Sequence, residues 1–450
     1  MANTKILIVG AHGAMGGHSL LKLYGNGNLS VVILQSEMEA FLKEKQMTED
    51  KWFPSDTTTI PKDAFFVGRE PSSSKEVGVF TPETLPAGFF KENGIVVVAS
   101  KIFHYDSVVD TIQPALNRDT IIFVLVNGLK PELTLERKCR EKGIENTLIR
   151  AVVMGGTHHT IEEDSCRYHS GIAKFVIGNW NMEFNESYKS KMEKVAGLYP
   201  DDTFLVEPRY GNEYRSPCFD KVLANLVNPI SAFTGCVTFE YVKHTITRKI
   251  ITRCFNQGIA VGLAIGLPLA DYDAIIRGKL EMYEKAGKAA KAHLPSMGQD
   301  ALRALLNRTV LHHENEHIGV ALVKEGREAK APYDASFVDS FNRILTEVTE
   351  HYNVLYRQDK EAAAHFLIGL MMRNRYSLGL DPHNRPLYEQ FGGLEEIESH
   401  ITLDRAKLKS ITAVDEAPIV FRENLEEMMD LFLNKGEKAQ HPKGEKDDGK

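Results

Sequence analysis

The sequence has few of the features that mark secreted, membrane or nucleic-acid-binding proteins. It has only five cysteines in 450 residues and no C-x-x-C pair, which argues against a disulfide framework. No apolar run approaches the roughly 20 residues needed to span a bilayer. The formal net charge is −7, and no basic stripe is sustained along the chain. We therefore expect a cytoplasmic protein with reduced thiols, no membrane span and no nucleic acid partner.

The first residues, MANTKILIVGAHGAMGG, also lack the pattern of a secretory leader. Their apolar run is short and leads directly into glycines, and no basic segment precedes a long apolar core. We therefore expect no signal peptide in this segment.

The first part of the chain alternates short β-branched runs with helix-like segments. Such alternation predicts an α/β domain with a mainly parallel sheet covered by helices on both faces. The predicted strands are 5–9, 31–34, 95–99, 121–126 and 148–153, and the helices between them include 17–26, 104–117 and 132–142.

After about residue 210 the pattern becomes helical. The predicted helices are 219–235, 239–266, 270–292, 297–325 and 334–351. We expect a first domain at 1–210, a helical domain at 211–350, a helical extension at 351–434, and a polar tail at 435–450 that is disordered.

A glycine-rich turn follows the first predicted strand and precedes a helix. Its glycines, Gly10, Gly13 and Gly16, are spaced G-x-x-G-x-x-G, so that His12 is one residue more than the usual G-x-G-x-x-G. Glycine lets the backbone approach a pyrophosphate, and the helix N-terminus offers unpaired N–H groups. The turn therefore predicts a dinucleotide site, and the alternative is a plain structural turn.

The end of the second predicted strand bears on the choice of cofactor. Gln35 and Ser36 stand there, with Glu37 just beyond and no arginine at the tip. An acidic residue at this position favours NAD, and its absence leaves room for a 2′-phosphate. We expect NADP, with NAD as the alternative.

Several segments, in order over roughly residues 4–345, resemble the ketopantoate reductase (2-dehydropantoate 2-reductase) family. The resemblance implies a Rossmann-type domain followed by an all-α domain like that of 6-phosphogluconate dehydrogenase. The C-terminal extension has no counterpart in the family's shorter members. The matching segments are AMG in the glycine turn, VVVASKIFHYDSVV, VLVNGLK, AVVMGGTHHT, HSGIAKFVIG, FDKVLANLVNPISAFTG, SMGQD and HENEH.

The resemblance implies reduction of a 2-keto acid to the 2-hydroxy acid with a nicotinamide cofactor and no metal. Lys221 would be the general acid and Glu314 would assist it, with Glu316 as the alternative carboxylate. The implied cofactor residues are Gly10, Gly13, Ala14, Met15, Gly16, Lys101 and Asn127. The implied substrate residues are Asn127, Asn225, Asn228 and Ser296.

The chemistry of the lysine segment agrees with that role. Hydride addition to a ketone builds negative charge on oxygen, which a positioned ammonium stabilises and protonates. Lys221, Asn225 and Asn228 are four and seven residues apart on one predicted helix, so one face would present all three. The alternative is an ordinary solvated helix edge.

The segment HENEH also matches the zinc motif H-E-x-x-H. On a helix, His313 and His317 would share a face and bind zinc, with Glu314 as the general base of a hydrolase. A third alternative is a nucleotide-sensing protein without catalysis. The apolar helix at 239–266 also suggests a homodimer.

Overall fold

The chain divides into two compact units, Met1–Val222 and Leu223–Lys450. The computed structural model describes residues 4–43, 46–51, 59–161, 165–170, 172, 174–199, 205–234, 245–269, 272–289, 295–306, 309–329 and 333–377. Most of the predicted extension and the whole predicted tail lie outside the described residues, and the domain limits predicted above stay predictions.

The first unit contains two sheets and six helices among its described residues. The strands are β1 (Lys5–Val9), β2 (Asn28–Val32), β3 (Gln46–Lys51), β4 (Thr59–Ile60), β5 (Phe65–Val67), β6 (Val77–Phe80), β7 (Gly94–Val98), β8 (Ile121–Leu125), β9 (Leu148–Met154), β10 (Thr157–Ile161), β11 (Ser165–Ser170), β12 (Lys174–Gly178) and β13 (Leu205–Pro208). The helices are α1 (Ala14–Leu23), α2 (Gln35–Lys43), α3 (Tyr105–Ile112), α4 (Pro131–Glu141), α5 (Glu186–Ala196) and α6 (Gly211–Asn225), which runs just past the division between the units.

The larger sheet has nine strands in the order β13-β12-β9-β8-β7-β1-β2-β6-β5. Its paired strands are parallel, except that β12 runs antiparallel to β9. From β1 the chain builds outward through β2 and later returns to the other side of β1 with β7. Connections therefore diverge at the carboxyl end of β1, and open α/β sheets bind ligands in the crevice formed at such a point.

The sheet is buried on both faces. Ile6 and Ile8 of β1 belong to the core on one face, while Leu7 and Val9 belong to the core on the other. Burial on both sides requires continuous apolar runs rather than alternation. The predicted parallel sheet with two covered faces is thus confirmed.

A smaller sheet has the strand order β10-β11-β3-β4. It joins segments far apart in sequence, since β11 pairs in parallel with β3 and antiparallel with β10. Helix α1 contacts β3, β10 and β11 in addition to β1. The helix that follows the glycine turn is therefore supported from both sheets.

The described part of the second unit is helical, as predicted. The helices are α7 (Asn228–Thr234), α8 (Thr245–Ala264), α9 (Tyr272–Ala289), α10 (Ser296–Leu306), α11 (Gly319–Glu328), α12 (Ser336–Gln358) and α13 (Lys360–Ser377). The longest of them, α12, packs against α8, α11 and α13, while α7 packs against α10 and α13. None of the described helices is long and apolar enough to cross a bilayer.

The predicted single helix at 219–235 is wrong. Helix α6 ends at Asn225 and α7 begins at Asn228, with a turn between them. Pro229 explains the break, because proline has no N–H to donate to the carbonyl of Asn225 one turn earlier. Asn228 therefore lies on a different helix from Lys221, and the predicted stripe of three polar residues on one helix does not form.

The predicted helix at 297–325 is also wrong in its middle. Helix α10 ends at Leu306, and α11 does not begin until Gly319. The Asn353 side chain accepts from Leu311 N at 2.9 Å and donates to Leu311 O at 3.0 Å, which engages the backbone groups that a helix would use. This interruption contains the HENEH segment.

Candidate functional site

The glycine turn after β1 is shaped by backbone atoms that come very close together. Gly10 has φ +86°, and a Cβ there would lie 2.7 Å from Ser100 Oγ. At Gly16 a Cβ would lie 2.0 Å from Gly10 O and 2.7 Å from Ala11 Cα. These two positions accept only glycine, so the turn requires glycine for its shape.

Gly13 serves a different purpose in the same turn. It is the N-cap of α1, its backbone is extended, and as a glycine it has no side chain with which to cap the helix. The first N–H groups of a helix have no partner within the helix and attract anions. This uncapped N-terminus at the carboxyl end of β1, with Ala14, Met15 and Gly16 in its first turn, fits a pyrophosphate.

His12, the additional residue of the turn, faces the start of α2. Its Nδ1 lies 3.8 Å from Glu37 Oε2. The His12 side chain lowers the pKa of the Glu37 carboxyl; partial burial opposes this, and the charge of His104 adds to the lowering. Glu37 therefore lies in the ionised range at neutral pH, beside the glycine turn.

Two predicted residues follow the next strands of the sheet at the same edge. Lys101 lies just beyond β7 and is half-buried, and Asn127 lies just beyond β8. The Oδ1 atom of Asn127 is buried without a hydrogen-bond partner among the described residues. An unsatisfied buried acceptor is costly, so this oxygen is suited to a donor supplied by a ligand.

The turn that carries Asn127 is held by a buried arginine that sequence reasoning missed. Arg150 of β9 donates through Nε to Val126 O at 3.1 Å and through Nη2 to Gly128 O at 2.7 Å. Both acceptors are immediate neighbours of Asn127. The guanidinium thus fixes the backbone on each side of that residue.

The charge of Arg150 is balanced inside the protein. Its Nη1 lies 3.0 Å from Glu132 Oε2, and both side chains are fully buried. Glu132 Oε1 also accepts from Trp180 N at 3.1 Å. Burial alone would lower the pKa of Arg150, but the Glu132 carboxylate raises that pKa overall, so the guanidinium stays charged.

Lys221 reaches the same edge of the sheet. Its Nζ donates to Gly155 O at 2.8 Å, and Gly155 follows β9 directly. Because β9, β8, β7 and β1 are neighbouring parallel strands, their carboxyl ends lie side by side. The structure therefore brings the glycine turn, Lys101, Asn127 and Lys221 to one edge of the sheet.

The remaining predicted polar residues lie in the second unit. Asn225 and Asn228 are both buried, and Asn228 Nδ2 donates to Ser296 Oγ at a long distance of 3.4 Å. Ser296 is the first residue of α10, which packs on α7. Two of the predicted substrate residues are thus adjacent even though no single helix presents the set.

The two candidate carboxylates differ in burial. Glu314 is buried, with 8% of its surface exposed, whereas Glu316 is exposed. Burial also lowers the pKa of the neighbouring His317 imidazole, which favours its neutral form. Burial therefore distinguishes the two glutamates that the sequence left as alternatives.

The HENEH segment does not have the geometry that a zinc helix requires. Residues Asn315–His317 form a short 3₁₀ turn, and His313 Nδ1 accepts a hydrogen bond from Asn315 N at 3.3 Å. Outside an α-helix, His313 and His317 do not share a face by spacing alone. Among the described residues no group of three or more ligand side chains could hold a metal ion.

A glycine turn at the switch point of a parallel sheet, followed by a helical unit, defines the class of Rossmann-type proteins with a helical second domain. Two family descriptions match this chain. "Ketopantoate reductase PanE/ApbA" matches residues 6–182, and "Ketopantoate reductase PanE/ApbA C terminal" matches residues 215–336. The chain belongs to the ketopantoate reductase family.

Solved structures share the fold at low sequence identity. A 2-dehydropantoate 2-reductase from Geobacter metallireducens GS-15 has a TM-score of 0.60 and 18% identity, over 77% of this chain and 100% of that one. D-mandelate dehydrogenase with NADH and anilino(oxo)acetate has a TM-score of 0.58 and 16% identity, over 77% of this chain and 98% of that one.

A curated relative matches only in part. The Bacillus subtilis (strain 168) protein named "Uncharacterized oxidoreductase YkpB" is 24% identical over 205 residues, which cover 43% of this chain. The match spans 55% of that protein's length, little more than half.

Proposed function

We propose that this protein is an oxidoreductase that uses NADPH to reduce a 2-keto acid to the 2-hydroxy acid. The observation that carries the proposal is the position of Lys221, whose Nζ binds Gly155 O at 2.8 Å at the sheet edge where the glycine turn lies. Membership of the ketopantoate reductase family supports the reaction class. Ketopantoate is therefore the first substrate to test. Aromatic 2-keto acids follow, such as the 2-keto acid that gives mandelate on reduction.

The residues of the first unit fit a nicotinamide dinucleotide. The uncapped N-terminus of α1 suits the pyrophosphate, and the close approach at Gly10 and Gly16 leaves room for it. Gln35 and Ser36, exposed at the start of α2, are uncharged, and the acidic Glu37 that follows them has His12 beside it at 3.8 Å. The similar D-mandelate dehydrogenase was solved with NADH, so NADH is the alternative cofactor.

Lys221 is proposed to be the general acid. When bound, the nicotinamide ring supplies the hydride that reduces the carbonyl carbon. The ammonium of Lys221 stabilises the negative charge that develops on the carbonyl oxygen and donates the proton that completes the alcohol. The hydrogen bond to Gly155 O orients the ammonium for this step.

The neutral polar residues are proposed to bind the substrate. Asn127 offers a buried oxygen that has no hydrogen-bond partner in the described part of the chain, and this oxygen can accept from a ligand hydroxyl or amide. Asn225 and Asn228 are buried and Ser296 is half-buried beside Asn228, and these polar groups are suited to a substrate hydroxyl and carboxylate. Lys101 is proposed to contact the nicotinamide side of the cofactor.

Glu314 is the carboxylate we assign to the site, since it is buried while Glu316 is exposed. The two glutamates provide a matched pair of variants. We expect Glu314→Gln to lower kcat/KM by about tenfold or more, and Glu316→Gln to leave it within about twofold. A larger loss in Glu316→Gln would reassign the role.

The proposal is tested with the full-length protein, NADPH and a panel of 2-keto acids. Oxidation of NADPH is followed for the wild type and for Lys221→Ala. Removing a general acid typically costs 10²–10⁴-fold, so we expect kcat to fall by about a hundredfold or more while the Kd for NADPH changes little.

Lys189→Ala is the matched control, because Lys189 is a half-buried lysine on α5, as Lys221 is on α6, and its ammonium lies 3.7 Å from Glu186. It should keep the wild-type rate. Equal rates in Lys221→Ala and the wild type would refute the assigned role. Cofactor binding without turnover of any keto acid would instead indicate a nucleotide-sensing protein.

Self-association and location complete the proposal. We propose a homodimer in the cytoplasm, with the apolar α8 as the contact suggested by the sequence. The four cysteines among the described residues are buried, which is compatible with a reducing compartment. Light scattering of the purified chain tests the dimer, and a monomer at micromolar concentration would refute it.

A further inference from the structure

The position of His12 and Glu37 relative to the sheet is the starting point. The register pairs Val9 with Val32, so the turn after β1 and the start of α2 after β2 lie side by side. In Rossmann-type domains the adenosine ribose lies beside the end of the second strand, and an acidic residue about 20 residues beyond the glycine motif bonds its 2′-hydroxyl. Glu37 lies about that far beyond Gly16.

His12 brings an imidazole and Glu37 brings a carboxylate to the same place beside the end of β2. Their side chains approach to 3.8 Å and are 22% and 46% exposed, so both are accessible to a ligand. No lysine or arginine occurs from Leu34 to Glu37, and His104 is the other imidazole whose charge acts on Glu37. Among the described residues, the charges that act on Glu37 are therefore those of the His12 and His104 imidazoles, and the uncharged Gln35 and Ser36 stand beside it.

We propose that His12 and Glu37 together read the 2′ position of the cofactor's adenosine ribose. The His12 N–H donates to a 2′-phosphate, as a cation when protonated, and favours NADPH. The Glu37 carboxylate accepts from a 2′-hydroxyl, repels a phosphate and favours NADH. The additional residue in the glycine turn thus offsets an acidic residue that would otherwise select NADH.

This inference rests on the proposed function, because it concerns the cofactor of the same site. It makes a prediction that the proposed function does not make, namely that two neighbouring substitutions shift cofactor preference in opposite directions. If the pair had only a structural role, the substitutions would change the Kd values for NADPH and NADH by the same factor.

The experiment measures Kd for NADPH and NADH by fluorescence titration of the full-length protein. His12→Gln and Glu37→Gln are compared with Glu39→Gln, which makes the same charge change at an exposed position of α2. Interactions between exposed charged groups are modest, so we expect the NADPH/NADH ratio of Kd to rise about threefold in His12→Gln and to fall about threefold in Glu37→Gln. Titration with 2′,5′-ADP and 5′-ADP should show the same opposite shifts without the nicotinamide.

The outcomes separate the two proposals. Opposite shifts in the two variants, with an unchanged ratio in Glu39→Gln, support the inference. Cofactor binding with ratios that match the Glu39→Gln control would overturn it and leave the proposed function intact. A wild-type protein that binds neither nucleotide would refute the proposed function and the inference together.

Discussion

The turn after β1 and the turn after β8 lie at the same edge of one sheet but obtain their shapes by different means. The first depends on absent side chains, since a Cβ at Gly16 would lie 2.0 Å from Gly10 O. The second depends on added side chains, since Arg150 binds the carbonyls on both sides of Asn127. A turn whose backbone approaches a ligand closely needs space free of side chains. A turn that presents one side chain in a fixed position needs other residues that hold its backbone.

The comparison predicts its largest effect at Arg150. Arg150→Met would leave the Glu132 carboxylate buried without its partner, and breaking such a pair typically costs 3–5 kcal/mol. We expect the free energy of unfolding to fall by about 4 kcal/mol in chemical denaturation. Arg140→Met is the matched control, because its pair with Glu136 is exposed, and it should change stability by less than about 1 kcal/mol. Equal effects in the two variants would contradict the anchoring role.

The next largest effect is expected at Gly16. Gly16→Ala places a methyl group against Gly10 O, and overpacking of this kind costs about 1–3 kcal/mol and displaces the turn. Binding of NADPH should be lost. Gly278→Ala on α9 is the control, because a Cβ there would lie more than 4 Å from any neighbouring atom and the residue is not among the predicted cofactor residues. If both variants bound NADPH equally well in fluorescence titrations, the turn would not require its glycines.

Asn127 should separate stability from ligand binding. Because its buried Oδ1 has no hydrogen-bond partner among the residues that the structure describes, Asn127→Ala removes an unsatisfied group and should keep the free energy of unfolding within about 1 kcal/mol of the wild type. The same substitution should raise the Kd for NADPH or the KM for the keto acid by about tenfold. A large loss of stability without a change in binding would show that Asn127 serves only the fold.

The smallest effect is expected at Lys130, the αL residue of the second turn. It has φ +56°, a conformation that costs a residue with a Cβ roughly 1 kcal/mol. Lys130→Gly should therefore stabilise the protein by about 0.5 kcal/mol, after the loss of the contact between its ammonium and Trp180. Thermal unfolding measures the effect of each variant. Lys142→Gly is the control, because Lys142 has φ −100°, and it should give no such gain.

The sequence predicted the parts of this site that depend on local pattern. The apolar runs of β1, β7 and β8 and the glycines that follow β1 are visible because burial on both faces and close approach each restrict residue type. Four predicted residues or segments therefore lie together at the sheet edge: the glycine turn, Lys101, Asn127 and Lys221.

The features that the sequence did not predict depend on distant residues. Arg150 stands inside a strand buried on both faces, which signals that a partner must exist, but nothing local identifies Glu132. Pro229 alone was enough to predict the break between α6 and α7, but the predicted helix at 219–235 did not include that break. The interruption at HENEH was not readable, because Asn353, far along the chain, holds the backbone of Leu311.

The central claim is that the larger, nine-stranded sheet binds a nicotinamide dinucleotide at the edge formed by the carboxyl ends of its parallel strands. It is tested most directly by the unfolding midpoint of the full-length protein during titration with NADPH and NADH. A ligand that binds only the folded state raises that midpoint progressively with concentration, and this is the predicted result. An unchanged midpoint at concentrations of both nucleotides up to about 1 mM, which corresponds to binding weaker than about −4 kcal/mol, would contradict the claim.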